Sequence, residues 1–202
     1  MEKRRDWERA ALVDAFARLA PEQGMAALDV PRLTRQAGLP PEAFRENFSS
    51  LAACLLVAHD AFFQRLAAHV RGDCAADERP WAERSAAALR AALQFLDETG
   101  TRARFFVVDA LFVGPAVLER RRAQIEALAE MLREGRDHYP GAALLPDSTE
   151  CMLVAGTLAR ITGHLLAEAA EPLGELSADL TELLLMHYLG AEGARAVARS
   201  VN

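Results

Sequence analysis

Little in the 202 residues points to chemistry at a metal or a nucleophile. The chain has three cysteines, Cys54, Cys74 and Cys151. An odd count without CxxC spacing speaks against a disulfide framework and a zinc ribbon, and fits a reducing cytosol. The five histidines, His59, His69, His138, His164 and His187, form no HxxxH or HExxH pair. No GxSxG elbow and no phosphate-cradling glycine loop occurs. No catalytic residue, metal or cofactor is therefore expected, and the chain is not read as an enzyme. Long apolar runs are missing too: none approaches the ~18 residues of a membrane span. The stretch MEKRRDWERA is charged and lacks the apolar core of a signal peptide. The expected location is cytoplasmic, with no membrane partner. An excess of positive charge is also absent. The net charge is −6, so the whole chain exerts no pull on nucleic acid. Residues 1–55 carry eight basic and eight acidic residues, so the acidic excess lies in the remainder.

What is present is a helical grammar. Ala, Leu, Arg and Glu dominate and β-branched residues are sparse, a composition that favours helices throughout. Residues 6–20 place Leu12, Val13, Phe16, Leu19 and Ala20 on one face, and Pro21 with Gly24 is expected to end that helix. Asp29 is the expected N-cap of a short helix over 30–37, with Pro31 tolerated in its first turn. Val30, Leu33 and Ala37 should face inward, and Gly38 is the expected C′ residue. Pro40 and Pro41 suit the first turn of the next helix, whose Phe44 and Phe48 would face a small core. Ser49 or Ser50 caps a long helix to about Arg71. Asp77 and Pro80 open a helix over 78–98, closed by Gly100, and residues 101–113 are strongly apolar. Residues 116–137 should carry Leu118, Ile125, Leu128 and Leu132 inward, with the ERRR run on the wet side. Asp147 and Glu150 have the spacing of a capping box, opening a helix to about Ala170. A last long helix runs to about Leu189, with a short tail helix over 191–200. The fold class is all-α: a compact three-helix unit over 1–50 and a larger helical bundle over 51–202.

Residues 37–48, AGLPPEAFRENF, have the form of the turn and second helix of a helix-turn-helix, a shape that reads DNA. From LVDAFARLAPEQG through LDVPRLTRQAGLPPEAFRENFSSLAACLL the chain resembles the tetracycline-repressor (TetR) family of bacterial transcriptional regulators. Gly24, Val30, Leu33, Ala37, Gly38, Leu39, Phe44 and Phe48 match its pattern in order. The tail LTELLLMHYLGAEGARAV is similar to the end of many members. The resemblance implies a helix-turn-helix head over 1–50, and a helical ligand-binding and dimerisation domain over 51–202. It implies a regulator, in the usual case a repressor, released from a palindromic operator on double-stranded DNA by a small, largely apolar effector. Departures fall where such members touch DNA: Asp29, Pro40, Arg45, Asn47 and Leu51 stand where Thr or Ser, Ser, Tyr, His or Tyr, and Lys are usual. Two other readings stay open. One is a diverged protein of this shape that binds a small molecule or a protein and has lost DNA binding. The other is an all-helical enzyme, for which no constellation speaks.

The candidate DNA-binding residues are Arg32, Pro41, Glu42, Arg45 and Asn47. Arg45 suits a guanine edge or a phosphate, and Asn47 an adenine edge or its own helix end. Glu42 suits a cytosine amino group, or simply stands exposed at the positive end of its helix. Lys3-Arg4-Arg5 reads either as an arm along the DNA or as a frayed terminus. Candidate effector-lining residues are Phe62, Phe63, Leu66, Phe95, Phe105 and Phe112, with Asp109, His59 or Arg104 as polar anchors; aromatics at helical spacing serve equally as plain core. Residues 152–166 and 180–189 are apolar on more than one face, and such a helix must bury both. A four-helix interface between two copies does so, with Leu158, Ile161, Leu165, Leu180, Leu184 and His187 as candidates. Deep burial within one chain is the alternative.

Overall fold

The structure, a computed structural model, describes residues 2–74, 78–167, 169 and 171–201; among these every regular element is a helix or a 3-10 turn. The helices are α1 (Glu2–Gln23), α2 (Val30–Ala37), α3 (Pro41–Asn47), α4 (Leu51–Cys74), α5 (Trp81–Thr99), α6 (Thr101–Val107), α7 (Pro115–Arg133), α8 (Gly135–His138), α9 (Thr149–Leu166) and α10 (Ser177–Val201). The chain is all-α, as its composition requires. Asp77 and Ala170, expected at helix ends, lie outside the described residues. Packing divides the chain into two compact units, Met1–Arg65 with Gly100–Val117, and Leu66–Thr99 with Leu118–Asn202. The chain passes between them at Arg65–Leu66, Thr99–Gly100 and Val117–Leu118. This is a division by packing; the boundary expected at residue 50 is one of role. The start of α4, α6 and the 3-10 turn Asp109–Phe112 belong with α1, α2 and α3.

In the first unit, local signals set the elements. α1 continues through Pro21 to Gln23 rather than stopping at the proline. A proline so near the end of a helix removes one donor at little further cost. Gly24 then closes the helix with φ 75°, its N–H donating to the Ala20 carbonyl at 2.9 Å. Asp29 caps α2 by accepting from the Arg32 N–H at 2.7 Å. Gly38 leaves α2 with φ 68°, the left-handed conformation a glycine adopts without strain. Thr34 is buried, and its hydroxyl donates to the carbonyl of Val30 or Pro31, so no polar group is stranded. Leu12, Phe16, Leu33, Ala43, Phe44 and Phe48 are buried, and the last two phenyl rings lie 5.7 Å apart. Ser50 caps α4 by accepting from the Ala53 N–H. By length and composition α4 is the one described helix able to cross a membrane, but Cys54, Leu55, Ala58 and Phe62 are buried in the protein.

The second unit is built around Trp81, buried among rings. Tyr188 and Tyr139 lie 4.9 and 5.9 Å away, centroid to centroid. Gly135 lets α8 close on that indole: a Cβ there would sit 2.4 Å from Trp81 Cη2. Gly135→Ala is accordingly expected to lower stability by about 1–3 kcal/mol, since a packed core resists added volume. Urea unfolding with an unchanged m-value checks this, and a wild-type midpoint would contradict it.

Two expectations are corrected here. The inward face of α7 carries Val117, Ala129 and Leu132, with Ile125 partly buried, whereas Leu118 and Leu128 are 52% and 44% exposed. Ile125 and Leu132 stay on the inward face as expected, while Val117 and Ala129 take the places expected of Leu118 and Leu128. Glu150 forms no capping box, and Ser148, not Asp147, precedes α9. Its side chain is fully buried instead, and Arg136 grips it with two bonds of 2.8 and 2.9 Å. The same guanidinium donates to the carbonyls of Leu145 and Pro146, tying down the loop that leads into α9. The Tyr188 hydroxyl lies 2.9 Å from Glu150 Oε1 and 3.1 Å from the Leu132 carbonyl oxygen, and donates its one proton to either. Burial alone would raise the Glu150 carboxyl. The bonds from Arg136 and Tyr188 outweigh it and hold the group below its ordinary 4.5.

The last two elements follow expectation. α10 is broken at Gly190 (φ 69°, ψ 171°), which separates a helix ending at Leu189 from a tail helix. The connection before it is held by Asp97, whose carboxylate accepts from the N–H groups of Leu173 and Gly174 at 2.7 and 3.0 Å.

Candidate nucleic-acid interface

α2 and α3 meet through the Gly38 turn with their apolar residues inward and their polar residues outward, the arrangement of a helix-turn-helix. Arg32, Pro41, Glu42 and Arg45 are all exposed. Glu42 and Arg45 stand one turn apart, with Oε1 to Nη2 at 3.9 Å and side chains 66% and 75% exposed. A pair this exposed is worth little, so either partner is free to exchange it for a base edge or a phosphate. Asn47 is turned back onto its own helix, its Nδ2 donating to the Ala43 carbonyl at 2.8 Å. Of its two readings, the structure displays the helix-end one.

The basic N-terminal residues are neither a loose arm nor frayed, because α1 begins at Glu2. Arg5 donates to the Glu46 carbonyl at 2.7 Å, and Arg9 to the Asn47 carbonyl at 2.9 Å. The Arg9 guanidinium also lies 4.5 Å above the Phe48 ring. Two cations thus close the C-terminal end of α3, where carbonyls lack partners and the helix dipole is negative. Arg4 pairs with Glu8, and Arg65 with Asp14. Among the described cationic side chains of this unit, those of Lys3, Arg32, Arg35 and Arg102 have no partner. Arg35, in the last turn of α2, is a further candidate that no motif in the sequence marks.

The aromatic candidates fall into two groups. In the first unit Phe62 stacks on Phe106 at 4.9 Å, Phe105 meets Phe106 at 5.1 Å, and Phe16 of α1 reaches Phe105 at 6.3 Å. Phe63 lies 5.3 Å from Phe62 and 4.7 Å from His59, which is itself buried. With Phe62, Phe105 and Phe106 only 5%, 2% and 1% exposed, these rings are core joining α1, α4 and α6. Phe112 is 85% exposed and lines nothing: the apolar run 101–113 leaves the helix after Val107, and the following 3-10 turn rotates Phe112 outward. Asp109 is exposed and faces Arg104 at 4.0 Å. In the second unit Leu66 and Phe95 are half-buried, and Phe95 meets His69 at 5.5 Å. Cys54 is buried among apolar atoms, which pushes its thiol up to about 12 and leaves it unreactive. Among the described residues no group of three or more His, Cys, Asp or Glu is placed to hold a metal ion.

The interface candidates divide as well. Ile161 and Leu180 are buried within the chain, at 4% and 2% exposure, and have no surface left for a partner. They brace α9 and α10 from inside. Leu158, Leu165 and Leu184 are half-buried and His187 is exposed. Gly156 brings α9 close to α10, its Cβ position 4.0 Å from Leu183.

A helix-turn-helix thus opens a chain whose described elements are all helical. No family model and no curated protein matches the chain. Solved structures match it over nearly their full length. The transcriptional regulator FadR from Bacillus subtilis, solved in complex with stearoyl-CoA, superposes with a TM-score of 0.71 at 15% identity, over 90% of this chain and 98% of that one. A TetR family transcription regulator from Marinobacter aquaeolei VT8 gives 0.57 at 16% identity, over 98% of both chains. The superantigen PfiT gives 0.64 at 20% identity, over 89% of this chain and 95% of that one. At these identities the likeness is one of fold.

Proposed function

We propose that the chain is a ligand-responsive transcriptional regulator, a cytoplasmic homodimer that binds a palindromic operator through α2 and α3 and acts as a repressor. The observation that carries this reading is the head. Its apolar residues are spent on a small core, while Arg32, Arg35, Glu42 and Arg45 stand exposed on consecutive helices joined by a left-handed glycine. A small, largely apolar effector in the second unit would act on the head through the chain crossings at Arg65–Leu66, Thr99–Gly100 and Val117–Leu118. FadR, which shares the fold, was solved with stearoyl-CoA, whose charged head carries an apolar acyl chain, and this supports an effector with an apolar portion. Effector binding would have to favour a state in which the two heads no longer match successive major grooves.

Electrostatics should contribute modestly to the affinity. Arg5 and Arg9 are committed to carbonyls, and Arg4 and Arg65 to carboxylates, so few cations are left for phosphate. Each phosphate neutralised contributes about −0.9 to the slope of log affinity against log salt, and we expect on the order of three or four per dimer. Arg45→Ala should cost roughly 1–3 kcal/mol at the preferred site, and Leu51→Lys should tighten binding to all sequences alike and steepen the slope. Fluorescence anisotropy of labelled duplex across a salt series reads both effects. Unchanged operator affinity in Arg45→Ala would sink the assignment of α3 as reader.

One observation favours a second reading, in which the shape binds something other than DNA. The head is charge-neutral, with eight basic and eight acidic residues over 1–55. Loss of all sequence preference at low salt would decide for it.

A further inference from the structure

The run Glu119-Arg120-Arg121-Arg122 looks like a solvated face, but its three arginines differ. Arg122 is exposed and paired with Glu126 at 3.0 Å. Arg121 is half-buried and turned toward α9, where its Nη2 lies 3.4 Å from Thr162 Oγ1. Among the described residues that hydroxyl is its only polar partner, and no carboxylate lies within ion-pair distance. Burial lowers the affinity of the guanidinium for its proton, with no neighbouring charge to offset the loss. A half-buried cation without a counter-ion is costly, and proteins keep one where an anion comes to it.

The surroundings say which anion. α7 and α9 run antiparallel, with Arg121 opposite Thr162 and Arg133 opposite Glu150. Leu118 precedes Arg121 by one turn and Leu166 follows Thr162 by one turn, so both leucines lie at the same end of the helix pair. Each is 52% exposed. Gly163, next to Thr162, has nothing within 4 Å of its Cβ position, so no side chain of another element packs on α9 at that point. A planar donor fork, a hydroxyl and two exposed leucines one turn beyond match a flat anionic head joined to an apolar tail. With Arg122 engaged elsewhere, the charge suits one carboxylate better than a polyphosphate.

We infer that Arg121 and Thr162 form the headgroup site for a carboxylate-bearing amphiphile whose tail lies along Leu118 and Leu166. This deepens the reading of the second unit as the effector-binding part, and rests on it. The test uses the full chain without DNA, titrated by calorimetry with decanoate and with the uncharged decanol. Wild type should bind decanoate at least about tenfold more tightly than decanol, the worth of hydrogen bonds to a charged group. Arg121→Gln should erase the preference while leaving decanol binding unchanged, and Arg121→Lys should keep part of it. Equal binding of the two ligands by wild type overturns the site. So does a preference that survives in Arg121→Gln, or an Arg121→Gln chain altered only in its oligomeric state. A chain that prefers decanoate through Arg121 but enriches no DNA keeps the site and refutes the regulator reading. A chain that enriches a palindrome yet shows no preference refutes the site alone.

Discussion

Glu150→Ala should destabilise the protein by about 3 kcal/mol, near the lower end of what removing one member of a buried ion pair costs. The lower end applies because the stranded Arg136 is 15% exposed and keeps its bonds to the Leu145 and Pro146 carbonyls, so it rehydrates in part. Arg136→Ala should do more harm, since it leaves a carboxylate with no exposure at all. Replacing both residues with apolar ones of similar volume should recover much of the loss. The pair also sets a pH dependence. The folded Glu150 lies below its ordinary 4.5, so its contribution is fully present above that pH and fades as pH falls through the folded value. Denaturant midpoints between pH 7 and pH 3 should therefore converge for wild type and Glu150→Ala. Parallel midpoints across that range would contradict the assignment.

Leu184→Arg should convert the protein from dimer to monomer. Leu158, Leu165 and Leu184 are half-buried, while Met152 on α9 and Met186 on α10 are 70% and 39% exposed. Such a face needs covering, and a two-fold axis through it brings the same residues from both copies together. An arginine at position 184 would then be buried twice without a counter-charge, at a cost on the order of several kcal/mol of association. Circular dichroism of the variant should show retained helix, since Leu184 is half-buried and not core. Sedimentation reads the mass, and a wild-type monomer at micromolar concentration would end the claim.

The features legible in the sequence were those carried by neighbouring residues. Asp29, Gly38, Phe44 and Ser50 announce a cap, a left-handed stop, a core ring and another cap, and each signal is complete within a few positions. What the sequence hid depended on partners far along the chain. Asp147 and Glu150 have capping-box spacing, but Arg136, 14 residues earlier, offers Glu150 two charge-assisted bonds and takes it inward. The leucine stripe of α7 misled because Val117 and the small Ala129 are buried, while Leu118 and Leu128 stay outside. Arg121 reads as one of three equivalent arginines until Thr162, 41 positions away, is seen beside it. The candidate DNA-reading residues were legible by position, while the commitments of Arg5, Arg9 and Asn47 to backbone carbonyls were not.

Selection of bound fragments from a pool of random duplex DNA at low salt tests the central claim most directly. A dimeric head of this geometry should enrich an inverted repeat whose half-sites are centred about one helical turn, or a multiple of it, apart. The Arg45→Ala chain, carried through the same selection, should lose preference at one position in each half-site and keep the spacing. Recovery of bulk sequence with no enriched repeat, from protein shown to be folded and dimeric, would mean that α2 and α3 keep the shape of a helix-turn-helix without reading DNA.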